Sequence, residues 1–159
     1  MLHAFPRTFD LPERRADRAR SAVLPPLTAP DYLRLRRKAA GLSVAAVAKR
    51  LYEAHRAARP AMTVEWAASV VTLLETSGST ARYAEALDAL RAVFPFDPDV
   101  YRQLAADPVD QQPRVCRGCG CSAWDACEDE GFPGNCMWAT PNSCTRCLKA
   151  DAASVEAHQ

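Results

Sequence analysis

The 159-residue sequence contains only three histidines, His3, His55 and His158, and none stands near a nucleophile or at metalloprotease spacing from a glutamate. It also lacks a glycine-rich loop that would cradle phosphate, so no enzymatic activity is expected. No apolar run approaches the roughly 20 residues of a membrane span. The opening residues, Met1-Leu2-His3-Ala4-Phe5-Pro6-Arg7, lack the charged start and apolar stretch of a secretory signal. Together these absences predict a cytoplasmic chain with no membrane partner, in a compartment where thiols stay reduced. There is no cysteine before residue 116, no internal repeat and no low-complexity tract.

What is present is a globular composition, 48% hydrophobic and 25% charged, with a formal net charge of +1. That total conceals a gradient. Residues 1–60 hold 13 Lys and Arg against 5 Asp and Glu, whereas residues 61–111 hold 3 against 8 and residues 112–159 hold 4 against 6. A basic first third joined to an acidic middle predicts an anionic partner for the first 60 residues.

Residues 1–29 carry Pro6, Pro12, Pro25 and Pro26 and the arginine-rich patch Glu13–Arg20, without a broad apolar face, and read as a flexible basic tail. Helical signals begin at residue 30. Pro30-Asp31 reads as a first turn, followed by Tyr32, Leu33, Leu35 and Ala39 and by Gly41 as a stop. Ser43 is an N-cap for a second helix with Val44, Val47, Ala48 and Leu51 on one face. Thr63 caps a third with Val64, Ala67, Val70, Val71 and Leu74 inward, after a long connection at 54–62. Thr80 opens a fourth with Tyr83, Leu87, Leu90 and Phe94, and Asp97-Pro98 a fifth with Val100, Tyr101 and Leu104. The expectation is a mainly α protein: a five-helix domain of helix-turn-helix type over 30–106, a polar linker over 107–114, a loop-rich cysteine module over 115–150 and a tail over 151–159.

The stretch from Tyr32 to Leu51, with Arg34, Arg36, Arg37, Lys38, Lys49 and Arg50, resembles the first two helices of the Cro/phage-repressor (XRE) helix-turn-helix family. Val71–Glu75 is similar to the end of that family's recognition helix, and Ala86–Phe94 with Phe96-Asp97-Pro98 to its closing helices. The resemblance implies a transcription regulator of phage or prophage character that binds double-stranded DNA. Those six basic residues, with Arg56 and Arg59, would then neutralise phosphates. Ser69 and Thr72 are the outward polar residues of the third helix placed toward bases. Between 63 and 75 there is no Arg, Lys, Asn or Gln, the side chains that favour base readout. Trp66 and Leu73 on the same helix suit a protein partner: RNA polymerase, another regulator, a host defence component, or a second copy in a homodimer.

All seven cysteines fall within 32 residues: Cys116, Cys119, Cys121, Cys127, Cys136, Cys144 and Cys147. Cys116/Cys119 and Cys144/Cys147 form two Cys-x2-Cys knuckles separated by 24 residues, the pattern of a tetrahedral thiolate site. The tract is rich in glycine and proline and poor in aliphatic residues, so metal binding would supply much of its folding energy. One or two zinc ions are expected, and an iron–sulfur cluster is the alternative that cysteine-only ligation leaves open. Cys121, Cys127 and Cys136 need a fourth ligand for a second zinc: a shared cysteine, or Asp125, Asp129 or His158. Trp124 and Trp138 are expected to pack over the metal. The spacing, with Ala126-Cys127 and Cys136-Met137-Trp138, resembles a seven-cysteine segment of uncharacterised phage-like bacterial regulators. That resemblance implies little about activity, and the module stands beside the third helix as a second candidate surface for a protein partner.

Overall fold

The computed structural model describes residues 24–81, 84–128 and 134–156. The chain is mainly helical, and among the described residues no helix is long and apolar enough to cross a membrane. Helix α1 spans Ala29–Ala39, α2 Val44–His55, α3 Val64–Leu74, α4 Ala84–Arg91 and α5 Pro98–Ala106. A two-stranded antiparallel ribbon follows, β1 at Trp138–Thr140 and β2 at Ser143–Cys144, and β2 runs directly into α6 at Thr145–Glu156.

The helix starts follow local chemistry. Ser43 and Thr63 accept hydrogen bonds from the backbone N–H of Ala46 and Trp66, and Asp97 from that of Asp99, satisfying donors that a first turn leaves open. The first helix starts earlier than the Pro30-Asp31 pair suggests. Thr28 is its cap, and a capping box links Thr28 and Asp31, which places Pro30 inside the first turn. The fourth helix begins at Ala84, after the expected Thr80, and ends at Arg91, short of Phe94. Tyr83 and most of the expected basic tail, residues 1–23, lie outside the described residues. The rest of that tail is not free: Arg117 donates to the Pro25 carbonyl and Leu27 packs on the core.

Tyr32, Leu33, Val47, Ala48, Ala67, Val71, Leu87, Leu90, Val100 and Tyr101 form one buried core, with Phe94 and Phe96 stacked at its edge. The α2–α3 pair packs most extensively, and α1 lies along α5. Burying each of the larger aliphatic side chains among these contributes about 1.5–3 kcal/mol before entropy is counted. Val115, the residue ahead of the first cysteine, belongs to this same core. The stretch expected as a linker is also tied down, since Gln112 donates from Nε2 to the Leu104 and Asp107 carbonyls. The cysteine tract therefore sits against the helices. Residues 145–156, expected as loop and tail, are helical instead.

Candidate metal centre

The first knuckle is a tight loop closed by two backbone bonds of 2.8 Å, Cys116 N to Cys121 O and Gly120 N to Cys116 O. The second sits where β2 becomes α6. Two contacts bring the knuckles together: Arg117 N donates to Asn142 O at 2.9 Å, and Cys144 N donates to Cys116 Sγ at 3.3 Å. Gly118 leaves the space this closure needs, because a Cβ there would lie 2.7 Å from Cys147 Sγ. A further bond of 2.8 Å from Cys136 N to Cys127 O, extended by the Glu128–Asn135 bridge, folds the intervening loop back onto the same place. All seven cysteines are reduced, and five are buried against one another with Cys136, Trp138 and Cys147 packed around them.

The sulfur spacing is one that could hold a metal ion. Cys119 Sγ lies 3.7 Å from Cys144 and 4.0 Å from Cys127, Cys127 lies 3.9 Å from Cys144, and Cys121 lies 3.5 Å from Cys136. Four sulfurs each about 2.3 Å from a zinc stand about 3.8 Å apart, whereas a disulfide brings two to about 2.05 Å. Two sets of four thiols converge closely enough to hold an ion: Cys116, Cys119, Cys121 and Cys144, and Cys121, Cys127, Cys136 and Cys144. Three of the expected outer set, Cys116, Cys119 and Cys144, converge in the first group. Cys121 stands in the first group where Cys147 was expected, and Cys147 sits beside it, half-buried against Gly118.

Without a metal these thiols perturb one another strongly. Hydrogen bonding from Cys119 and Cys121 favours the thiolate of Cys116, and the same contacts push the Cys119 and Cys121 thiols up. Burial, with the neighbouring Cys127, raises Cys136 to about 11, and burial raises Cys147 to about 12. The arrangement favours replacing protons by a thiophilic cation, which removes the conflict. Arg146 is held charged chiefly by its contact with Cys127 and supplies a cation at the rim of the cluster.

Asp125 is not placed as a ligand. Its Oδ1 accepts from Ser122 N at 2.7 Å and from the Ser122 hydroxyl. Its Oδ2 accepts from Tyr32 Oη at 2.6 Å and pairs with Arg36 Nε at 3.2 Å. Oδ1 thus shapes the cysteine loop locally and Oδ2 docks it to α1, so both oxygens are engaged. Gly120 supports the same contact: it sits at φ +79°, and a Cβ there would come within 3.0 Å of Leu35 and Arg36. Asp129 and His158 lie outside the described residues. Trp138 covers the cluster as expected, stacked 4.0 Å under the Arg114 guanidinium, whereas Trp124 is 66% exposed and covers nothing.

The basic residues read as phosphate contacts divide. Arg37 is buried and grips Glu75 through two bonds, Nε to Oε1 at 2.6 Å and Nη2 to Oε2 at 2.7 Å. Arg36 is buried between the Pro95 carbonyl and Asp125, and Arg34 donates to the Glu75 carbonyl at 2.5 Å and pairs with Asp31. Arg36 and Arg37 are thus corrected from DNA contacts to internal struts, since both side chains are buried against these partners. Lys38, Lys49 and Arg50 are exposed, and so are Ser69 and Thr72 on α3.

Trp66 and Leu73 are 48% and 61% exposed on α3. They line a groove of about 950 Å³, with Met62 and Val70 on one wall and Ala86 and Ala89 of α4 on the other. The outward alanines of α4 were the missed signal in the sequence. No family model matches this chain, and no curated protein or solved structure is similar to it.

Proposed function

We propose that this protein is a DNA-binding transcription regulator of phage or prophage type. In this reading, α1–α5 form a helix-turn-helix domain of the Cro/phage-repressor kind, and the cysteine module holds zinc. The observation that carries the reading is how α3 is held. Arg37 of α1 clamps Glu75 at the C-terminal end of α3, and α2 packs along α3, which leaves one side of α3 exposed with Glu65, Trp66, Ser69 and Thr72. Lys49 and Arg50 on α2 are exposed beside it for the phosphate backbone. In such a domain the second helix lies over the backbone and the third enters the major groove. The zinc module then braces α1 through Asp125 and adds no base contact.

The groove beside Trp66 supports a second reading, an adaptor that binds a protein partner such as RNA polymerase, another regulator or a host defence component. Its apolar walls suit an amphipathic helix. Electrophoretic mobility shift with genomic fragments at graded salt separates the two. The regulator reading predicts a discrete band that survives about 150 mM salt, the ionic strength at which specific sites stay bound. Binding that is uniform across fragments and lost by that salt would leave the adaptor reading standing instead.

A further inference from the structure

We propose that the cysteine module holds two divalent metal ions bridged by one thiolate, that of Cys144. The inference rests on the metal reading above and goes beyond it in stoichiometry and ligand assignment. It begins with a count. Two tetrahedral ions offer eight ligand positions, and the module has seven cysteines, so an all-thiolate pair requires one shared sulfur. The obvious non-sulfur donor is unavailable, because both oxygens of Asp125 are committed to Ser122, Tyr32 and Arg36.

The shared sulfur must sit at the centre of the cluster, and Cys144 does. It is completely buried and belongs to both four-thiol groups. Its Sγ lies 3.7 Å from Cys119, a member of the first group alone, and 3.9 Å from Cys127, a member of the second alone, and its own N–H donates to Cys116 Sγ. Cys121 also belongs to both groups and contacts Cys116 and Cys119 as well, but its Sγ lies 3.5 Å from Cys136, and on that contact we assign it to the second ion. The place it leaves in the first group falls to Cys147, the knuckle partner of Cys144, whose sulfur lies against the Gly118 turn. Cys116, Cys119, Cys147 and Cys144 then hold one ion, and Cys121, Cys127, Cys136 and Cys144 the other. Binding displaces the remaining thiol protons to solvent, and the resulting anionic cluster lies beside Arg146 and the backbone N–H of Cys144.

Elemental analysis of the full chain, purified anaerobically, should give two zinc ions per chain. After exchange with isotopically enriched cadmium, two cadmium resonances should appear in the all-thiolate range, each split by coupling to the other through the shared sulfur. Cys136→Ser should reduce the count to one, whereas Cys144→Ser should lower retention of both. A single ion, iron in place of zinc, or two uncoupled cadmium resonances would overturn the bridge. A single zinc ion would leave the metal reading standing, whereas a folded chain with no metal would end both. The coupling is read on the unmutated protein, so a variant that fails to fold does not decide the matter.

Discussion

Tyr32 and Asp125, 93 residues apart, are joined by a 2.6 Å hydrogen bond from the Tyr32 hydroxyl to Asp125 Oδ2. The same hydroxyl accepts from the backbone N–H of Asp97 at 2.8 Å, at the cap of α5. One buried phenol thus ties α1, the start of α5 and the cysteine loop together. The module is anchored to the helical core by a polar contact that would be costly to leave half made.

Removing that hydroxyl gives the first prediction. Tyr32→Phe removes one of the partners of Asp125 and leaves the Asp97 N–H without its acceptor, and should destabilise the metal-loaded protein by about 1–3 kcal/mol in urea unfolding. It should also speed loss of metal to a chelator, because the loop holding Cys121 and Cys127 loses one of its ties to α1. Unchanged stability and metal release would show the contact to be incidental.

The same residue gives a pH dependence. Burial first, then the Asp125 charge, raise the Tyr32 hydroxyl well above its ordinary value of 10.0. The folded state therefore keeps a proton that the unfolded chain gives up above about pH 10, so this contribution is full below pH 10 and declines as pH rises. Between pH 10 and 11 the wild type should lose stability faster than Tyr32→Phe, by at most about 1.4 kcal/mol per pH unit. Parallel curves for the two proteins would contradict the assignment.

Arg37 and Glu75 form a buried pair with side chains 9% and 7% exposed. Arg37→Met strands the Glu75 carboxylate and should cost about 3–5 kcal/mol, whereas Arg37→Met with Glu75→Leu should recover most of that loss. Additive costs in the double variant, measured by thermal unfolding, would mean that the two side chains do not act as a pair.

At Gly118 the prediction is steric. Alanine there would set its Cβ 2.7 Å from Cys147 Sγ and force the second knuckle away from the first. Gly118→Ala should bind zinc at least tenfold more weakly in a competition titration, with far-ultraviolet circular dichroism of α1–α5 largely retained. Wild-type affinity would remove Cys147 from the metal site.

For DNA, Lys49→Ala with Arg50→Ala should weaken binding evenly across sequences and lower the slope of log affinity against log salt by about two. An unchanged slope would place the phosphate contacts elsewhere.

Much of the helical part was legible because its signals are local. Ser43, Thr63 and Asp97 announce their helices by chemistry that acts within three residues. Thr28 was obscured by Pro30, which marks a first turn without saying which of two positions it fills. Helix α6 was hidden because it starts between Cys144 and Cys147, where metal spacing dominates the reading. The charge count made phosphate contacts of Arg36 and Arg37, and composition carries no sign of the partners, Asp125 and Glu75, that bury them. Asp125 illustrates the limit of spacing most sharply: beside cysteines a carboxylate reads as a ligand, and only the fold brings Tyr32 and Arg36 to it.

Metal held by sulfur alone is tested most directly by X-ray absorption at the zinc edge of the purified protein. The predicted spectrum is fitted by four sulfurs per zinc at about 2.3 Å. A shell containing nitrogen or oxygen, or a folded protein without zinc, would contradict it.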